Sequence, residues 1–203
     1  MRLHFAPGTI AVACALALEE AGVHYEIAPV DFATAAQRSP SYLKTNPKGR
    51  VPSLETPQGV LTETGAILEY IADTLAPDLK PKDAFQAAKM REVMFYLAST
   101  MHVNHAHKMR GHRWADDPTA HAAMTAKVPE TMTASAAFIE AQIEGPYLFG
   151  PHPSLADFYL FAISLWLEGD GVDLTALPKL VAFMSAMQAR QSKARLQAKV
   201  ETL

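Results

Sequence analysis

The feature that most constrains this chain is a change of periodicity. Every strand-like segment falls in roughly the first third, and from Asp83 onward only helical patterns remain. Arg2 to Phe5 alternate along a short apolar stretch that stops at Pro7-Gly8, and a helical pattern then runs from Ile10 to Ala21 and ends at Gly22. Tyr25 to Val30 form a second strand pattern, so the opening predicts a parallel pair joined by a right-handed crossover. After a short helical piece around Tyr42, Val51 to Glu55 and Val60 to Thr62 flank Thr56-Pro57-Gln58-Gly59, which reads as a hairpin. A helix follows in which Ile67, Ile71 and Leu75, widened by Leu68, make one apolar stripe that covers the sheet. The expected organisation is a first domain over 1–75, an exposed linker over 76–82 holding Pro77 and Pro81, and an all-helical second domain over 83–203.

In the second domain, helical periodicities run to about His112 and again to about Glu144, interrupted by Asp116-Asp117-Pro118, whose proline suits a helix start. Ser154-Leu155-Ala156-Asp157 has the spacing of a capping box, with Pro153 and Phe158 placed for a hydrophobic staple. Phe158 to Phe161, Ile163, Leu165 and Trp166 are apolar on every side of the helix that follows, as expected of a helix packed all round.

Composition removes several function classes. Of the 203 residues 49% are hydrophobic, enough for a real core, and the net charge of −3 offers no footprint for nucleic acid. One cysteine, Cys14, permits neither an internal disulfide nor a CxxC redox pair. The N-terminal segment breaks at Pro7 before it resembles a signal peptide, and no run is long enough for a membrane span, so a cytoplasmic protein is expected.

Three segments in this order and spacing resemble the glutathione S-transferase superfamily, nearest to its bacterial beta-like branch. They are Phe5-Ala6-Pro7-Gly8 leading to Ala17-Leu18-Glu19-Glu20-Ala21-Gly22, then Asn46-Pro47-Lys48-Gly49-Arg50-Val51-Pro52, then Leu61-Thr62-Glu63-Thr64-Gly65-Ala66-Ile67-Leu68-Glu69-Tyr70. The resemblance implies an α/β thioredoxin-like N-terminal domain, an all-α C-terminal domain, glutathione as co-substrate, a small hydrophobic electrophile as the second substrate, and a homodimer. It also implies a cis Val51-Pro52 bond that presents the Val51 backbone to the extended tripeptide. Thr64 would hold the γ-glutamyl carboxylate at a helix N-terminus, Glu63 the ammonium, and Lys48 or Arg50 the glycyl carboxylate. A plain turn at Pro52 and a simple cap at Glu63-Thr64 are the structural alternatives.

The thiol end departs from the branch. A glutathione thiol ionises near roughly 8.5 to 9, so an enzyme must stabilise its thiolate. The residue at the branch's cysteine position is Ile10, and Phe5 lacks a hydroxyl as well. This leaves the start of the first helix, with the Ile10 backbone NH and Thr9, as the expected stabilising element. Cys14, one turn on, reads as a buried small hydrophobe rather than a displaced catalytic thiol. His102 matches a histidine that faces the thiol, whereas Ala35 and Val103 replace lysines and Phe95 an asparagine of that branch. His102 and His105 would share a helix face, too few ligands for a metal site, and Arg110, Arg113 and Trp114 either border the co-substrate pocket or lie on the surface. The expected reaction is glutathione transfer to an apolar electrophile held between Pro7 to Thr9 and the helix bearing Met101, His102 and His105. The alternatives are a non-catalytic ligand-binding protein on the same fold, or a glutathione-dependent isomerase, lyase or dehalogenase.

Overall fold

The computed structural model describes residues 1–202. Strand β1 (Arg2–Phe5) pairs in parallel with β2 (Glu26–Pro29), across the crossover helix α1 (Ala11–Glu20). After α2 (Pro40–Thr45), the hairpin β3 (Ser53–Thr56) and β4 (Gly59–Thr62) adds antiparallel strands on the other side of β1, giving the order β2-β1-β3-β4. Helix α3 (Thr64–Thr74) follows, burying Ile67, Leu68 and Ile71 as its stripe demands. This is a thioredoxin-like layer of sheet and helices.

Helix α1 is alanine-rich, and Ala11 to Glu19 are all buried. Small side chains let neighbours approach on every side, and α1 packs on α3 of its own layer and on α7 and α9 of the helical part. Glu19, buried at the end of α1, accepts from Lys199 Nζ at 2.5 Å and pairs with Arg195, which ties the last helix to the first.

The segment expected to be an exposed linker is only partly so. Pro77–Leu79 form a 3₁₀ turn beside α3 whose Leu79 is buried, with Ala76 partly buried against the core before it. The helical part then runs α4 (Ala84–Tyr96), a π-helical stretch Leu97–Met101, α5 (His102–Ala106), α6 (Pro118–Glu140), α7 (Leu155–Ser164), α8 (Pro178–Gln188) and α9 (Gln191–Val200). Helix α5 ends before the expected His112. Gly111 sits in a 3₁₀ turn so close to His121 that a Cβ would meet its ring at 3.0 Å.

Helix α7 is buried on every face and forms the centre of the helical part. The Asp157 carboxylate accepts from the Ser154 backbone N–H and hydroxyl, both at 2.7 Å, and from the Leu148 N–H at 2.8 Å. Ser154→Ala is expected to cost about 1 kcal/mol, as for other lost N-caps, measurable as a shifted urea midpoint with unchanged slope. The helix stops at Ser164, so Leu165 emerges to solvent and Trp166 lies only half-buried, against the expectation that both belong to the buried run.

Candidate functional site

The site forms where the loop before β3, the start of α3 and the start of α1 meet α5 and α7. Asn46 is buried and its amide donates to the Arg50 carbonyl at 2.7 Å and to Ser53 Oγ at 3.1 Å, while the Tyr42 hydroxyl also donates to Arg50 O at 2.7 Å. These bonds fix the loop that carries Lys48, Arg50 and Val51. Gly49 turns it at φ +61, and a Cβ there would stand 3.0 Å from the Gln37 carbonyl, so only glycine fits.

The Val51-Pro52 bond is cis, as the resemblance implies. The strand register between β1 and β3 runs no further than His4 opposite Ser53, which leaves the Val51 N–H and C=O without a backbone partner among the described residues. Beyond the hairpin, Glu63 holds φ +70 without being glycine, a conformation that costs on the order of 1–3 kcal/mol and collects at ligand sites. It caps α3 and turns Thr64, which is buried, into the first turn, where backbone N–H groups face outward. Lys48 Nζ donates to Glu63 Oε1 at 2.6 Å and to Thr62 Oγ1 at 2.7 Å. The lysine expected to reach a glycyl carboxylate is therefore engaged with the glutamate expected to meet an ammonium. A cavity of 280 Å³ joins Ile10, Lys48, Val51, Glu63, Thr64 and Tyr159.

At the thiol end, the Thr9 hydroxyl donates to the Ala6 carbonyl at 2.7 Å and accepts from the Ala11 N–H at 3.3 Å. Its proton is thus directed into the turn, and the expectation that Thr9 donates to a thiolate is corrected. The Ile10 N–H has no partner among the described residues, and Ile10 lines both cavities. Cys14 is fully buried, its thiol pushed far up by burial and aimed at the Thr64 carbonyl at 3.9 Å, as a packing residue would be.

His102 lines both cavities, with its ring 5.1 Å from that of Trp166. Burial, then the charges of His105, Arg110, Arg113 and Arg50, hold it down at about 4, so at neutral pH it is an uncharged imidazole with one N–H to give. Its ordinary value is about 6.5, so the unfolded chain takes up this proton before the folded one. Its stabilising contribution is complete above that value and is lost as pH falls from about 6.5 to about 4. His102→Gln should flatten this part of the acid limb in urea midpoints measured across pH; an unchanged limb would contradict the assignment.

A second cavity of 480 Å³ continues from Gly8 and Ile10 to α5. The expected apolar lining is present only in part, as Ile10, Phe32, Val51, Met109 and Trp166, and among them stand Arg38, Arg50, Arg110 and Arg113. Met101 does not line it, because the π-helical stretch turns that side chain into the core. His105 stacks on Trp166 at 4.1 Å and pairs with the buried Asp170 at 2.6 Å, while the Trp166 indole donates to Gly8 O at 2.8 Å. No cluster of three His, Cys, Asp or Glu side chains suited to a metal occurs among the described residues. Sequence reasoning missed Tyr159, Trp166, Asp170 and Arg38. Tyr159 and Trp166 sit in an apolar run that reads as core, and Arg38 lies in a polar connection with no motif of its own.

Residues 2–73 match the model of the glutathione S-transferase N-terminal domain, and residues 104–194 that of the C-terminal domain. The chain is 30% identical over 196 residues to glutathione S-transferase GST-4.5 of Xanthomonas campestris pv. campestris, covering 93% of each. It is also 30% identical over 172 residues to a maleylacetoacetate isomerase of Rhizobium meliloti, covering 82% of this chain and 81% of that one. A glutathione transferase homologue from Sulfitobacter, crystallised with bound glutathione, superposes with a TM-score of 0.96 at 53% identity, covering 98% of this chain and 97% of that chain. No helix among the described residues is long and apolar enough to cross a membrane. With both domain models matched in order and similarity extending over nearly its whole length, the chain belongs to the glutathione S-transferase superfamily.

Proposed function

We propose that this protein is a glutathione transferase, in which the tripeptide lies along Val51 with its γ-glutamyl end at Glu63-Thr64 and its sulfur at the Ile10 N–H. The observation that carries this reading is the alignment of unpaired backbone groups: Val51 in the middle, the α3 N-terminus at one end, Ile10 at the other. An extended peptide docks to such a backbone as an added strand, and a helix N-terminus suits a carboxylate. The Sulfitobacter homologue, which holds glutathione, supports the same ligand. The incoming ammonium then competes with Lys48 for Glu63, and Arg50 is left for the glycyl carboxylate.

In the reaction the thiol proton leaves to solvent, the thiolate sulfur forms a bond to an electrophilic carbon, and the leaving group departs with its electron pair. The Ile10 N–H and the neutral His102 stabilise the sulfur's charge, and the two adjoining cavities hold both reactants together. A second reading, isomerisation by reversible addition of the thiol across a double bond, is favoured by the match to the maleylacetoacetate isomerase. Product analysis separates the two, since only transfer consumes glutathione.

The domain limits 1–75 and 83–203 and the homodimer belong to this proposal. Phe85 and Phe95, 69% and 70% exposed on α4, are apolar groups a partner would cover, and light scattering that finds only monomers at micromolar concentration removes the dimer. The direct test is thermal. Glutathione or S-hexylglutathione at 100 times its Kd should stabilise by about 2.7 kcal/mol, a rise of roughly 5–10 °C. No shift with either compound sinks the reading.

A further inference from the structure

We infer that the second cavity accepts a planar electrophile carrying a carboxylate, rather than a purely apolar one. This rests on the glutathione reading, which assigns Arg50 to the peptide, and concerns the three arginines that remain. Arg38, Arg110 and Arg113 line the same 480 Å³ cavity, and its lining contains no aspartate or glutamate. None of the three guanidiniums forms a hydrogen bond or ion pair among the described residues, although the chain as a whole carries a net charge of −3. Asp170, the carboxylate that meets His105 of α5, is buried and already paired with His105 and Lys108. The positive charge is therefore uncompensated from within.

The charges also repel one another. Arg113 is brought down to about 10 by burial and by Arg110, Arg50 and Arg38, and Arg110 is lowered by burial and by Arg50. A cluster of this kind gains from an anion that enters it, and guanidiniums grip carboxylates in a two-pronged geometry. The remaining surface sets the shape of the body attached to that anion. Trp166 and His105, stacked at 4.1 Å and 18°, line this cavity together with Ile10 and give it an aromatic wall. A flat aromatic or unsaturated acid fits this wall with its reactive carbon toward Ile10 and its carboxylate toward Arg38 and Arg110.

The test compares 3,5-dinitrobenzoate with its methyl ester, in saturating S-methylglutathione, by quenching of tryptophan emission. Both tryptophans of the chain, Trp114 and Trp166, line the two cavities. The acid should bind about tenfold more tightly than the ester, the effect of one charged hydrogen-bonded contact. The double variant Arg38→Gln, Arg110→Gln should erase that preference, and Arg110→Lys should keep part of it, which separates lost charge from lost fold. Equal affinity for acid and ester, or a preference that survives the double change, overturns the inference. So does competition between the acid and S-methylglutathione, since the acid then lies in the peptide's groove. Failure of the glutathione reading registers separately, as no response to S-hexylglutathione, and the acid preference measured without peptide then decides the cavity's chemistry alone.

Discussion

Asp157→Ala is expected to lower the unfolding free energy by about 3–5 kcal/mol, since it strands up to three buried donors that cost about 1–3 kcal/mol each. Asp157 is 0% exposed in the first turn of α7, the helix at the centre of the second domain. Its two oxygens take the Leu148 N–H, the Ser154 N–H and the Ser154 hydroxyl, so alanine would strand buried donors that water cannot reach. Burial raises this carboxyl above its usual range against the pull of those donors. Asp157→Asn keeps the shape and one acceptor but turns an NH₂ toward a donor, so its cost should fall between that of alanine and that of Ser154→Ala. Urea unfolding should rank the three variants, from most to least destabilised, as Asp157→Ala, Asp157→Asn and Ser154→Ala. If Asp157→Ala costs no more than Ser154→Ala, the carboxylate is only a cap and its link to Leu148 carries no stability.

This hub was legible in the sequence because capping is local: Ser154 and Asp157 are three residues apart and their chemistry is independent of what packs above them. The same holds for the hairpin around Pro57 and the apolar stripe of α3. What escaped the sequence joins residues far apart. Lys48 meets Glu63 across a loop and a hairpin, Trp166 meets Gly8 across the two layers, and His105 meets Asp170 in the turns beyond α7. No periodicity encodes such pairings, so Lys48 read as a candidate for the glycyl carboxylate and Trp166 as a core residue. The second cavity shows the consequence for function. Arg38, Arg110 and Arg113 come from two distant segments, and only the fold reveals that they face one space with no acid among them. Thr9 illustrates the reverse case, a hydroxyl of the right type at the right place whose proton is bound by its own turn.

Replacing Glu63 and Thr64 together by alanine should weaken S-hexylglutathione binding by at least about a hundredfold, since two charge-assisted contacts of about 1.5–3 kcal/mol each are removed. The two residues have different claims on the ligand. Thr64 offers a hydroxyl and a backbone N–H at the start of α3, and alanine deletes only the first, so Thr64→Ser should restore most of the loss from Thr64→Ala. Glu63 is already paired with Lys48 at 2.6 Å, so Glu63→Ala removes a negative group and leaves Lys48 facing the ammonium, a repulsion that adds to the missing attraction. Glu63→Gln keeps the volume and the strained backbone at φ +70 but not the charge, and should lose nearly as much affinity as alanine if charge is what matters. Added salt should weaken the wild type more than the double variant, because screening acts only on the contacts that remain. Calorimetry of these variants, with circular dichroism to verify the fold, decides the matter. Affinity for S-hexylglutathione that persists in the double variant would mean that the α3 N-terminus is an ordinary helix start, and that the peptide, if it binds, is held by Val51 and the arginines alone.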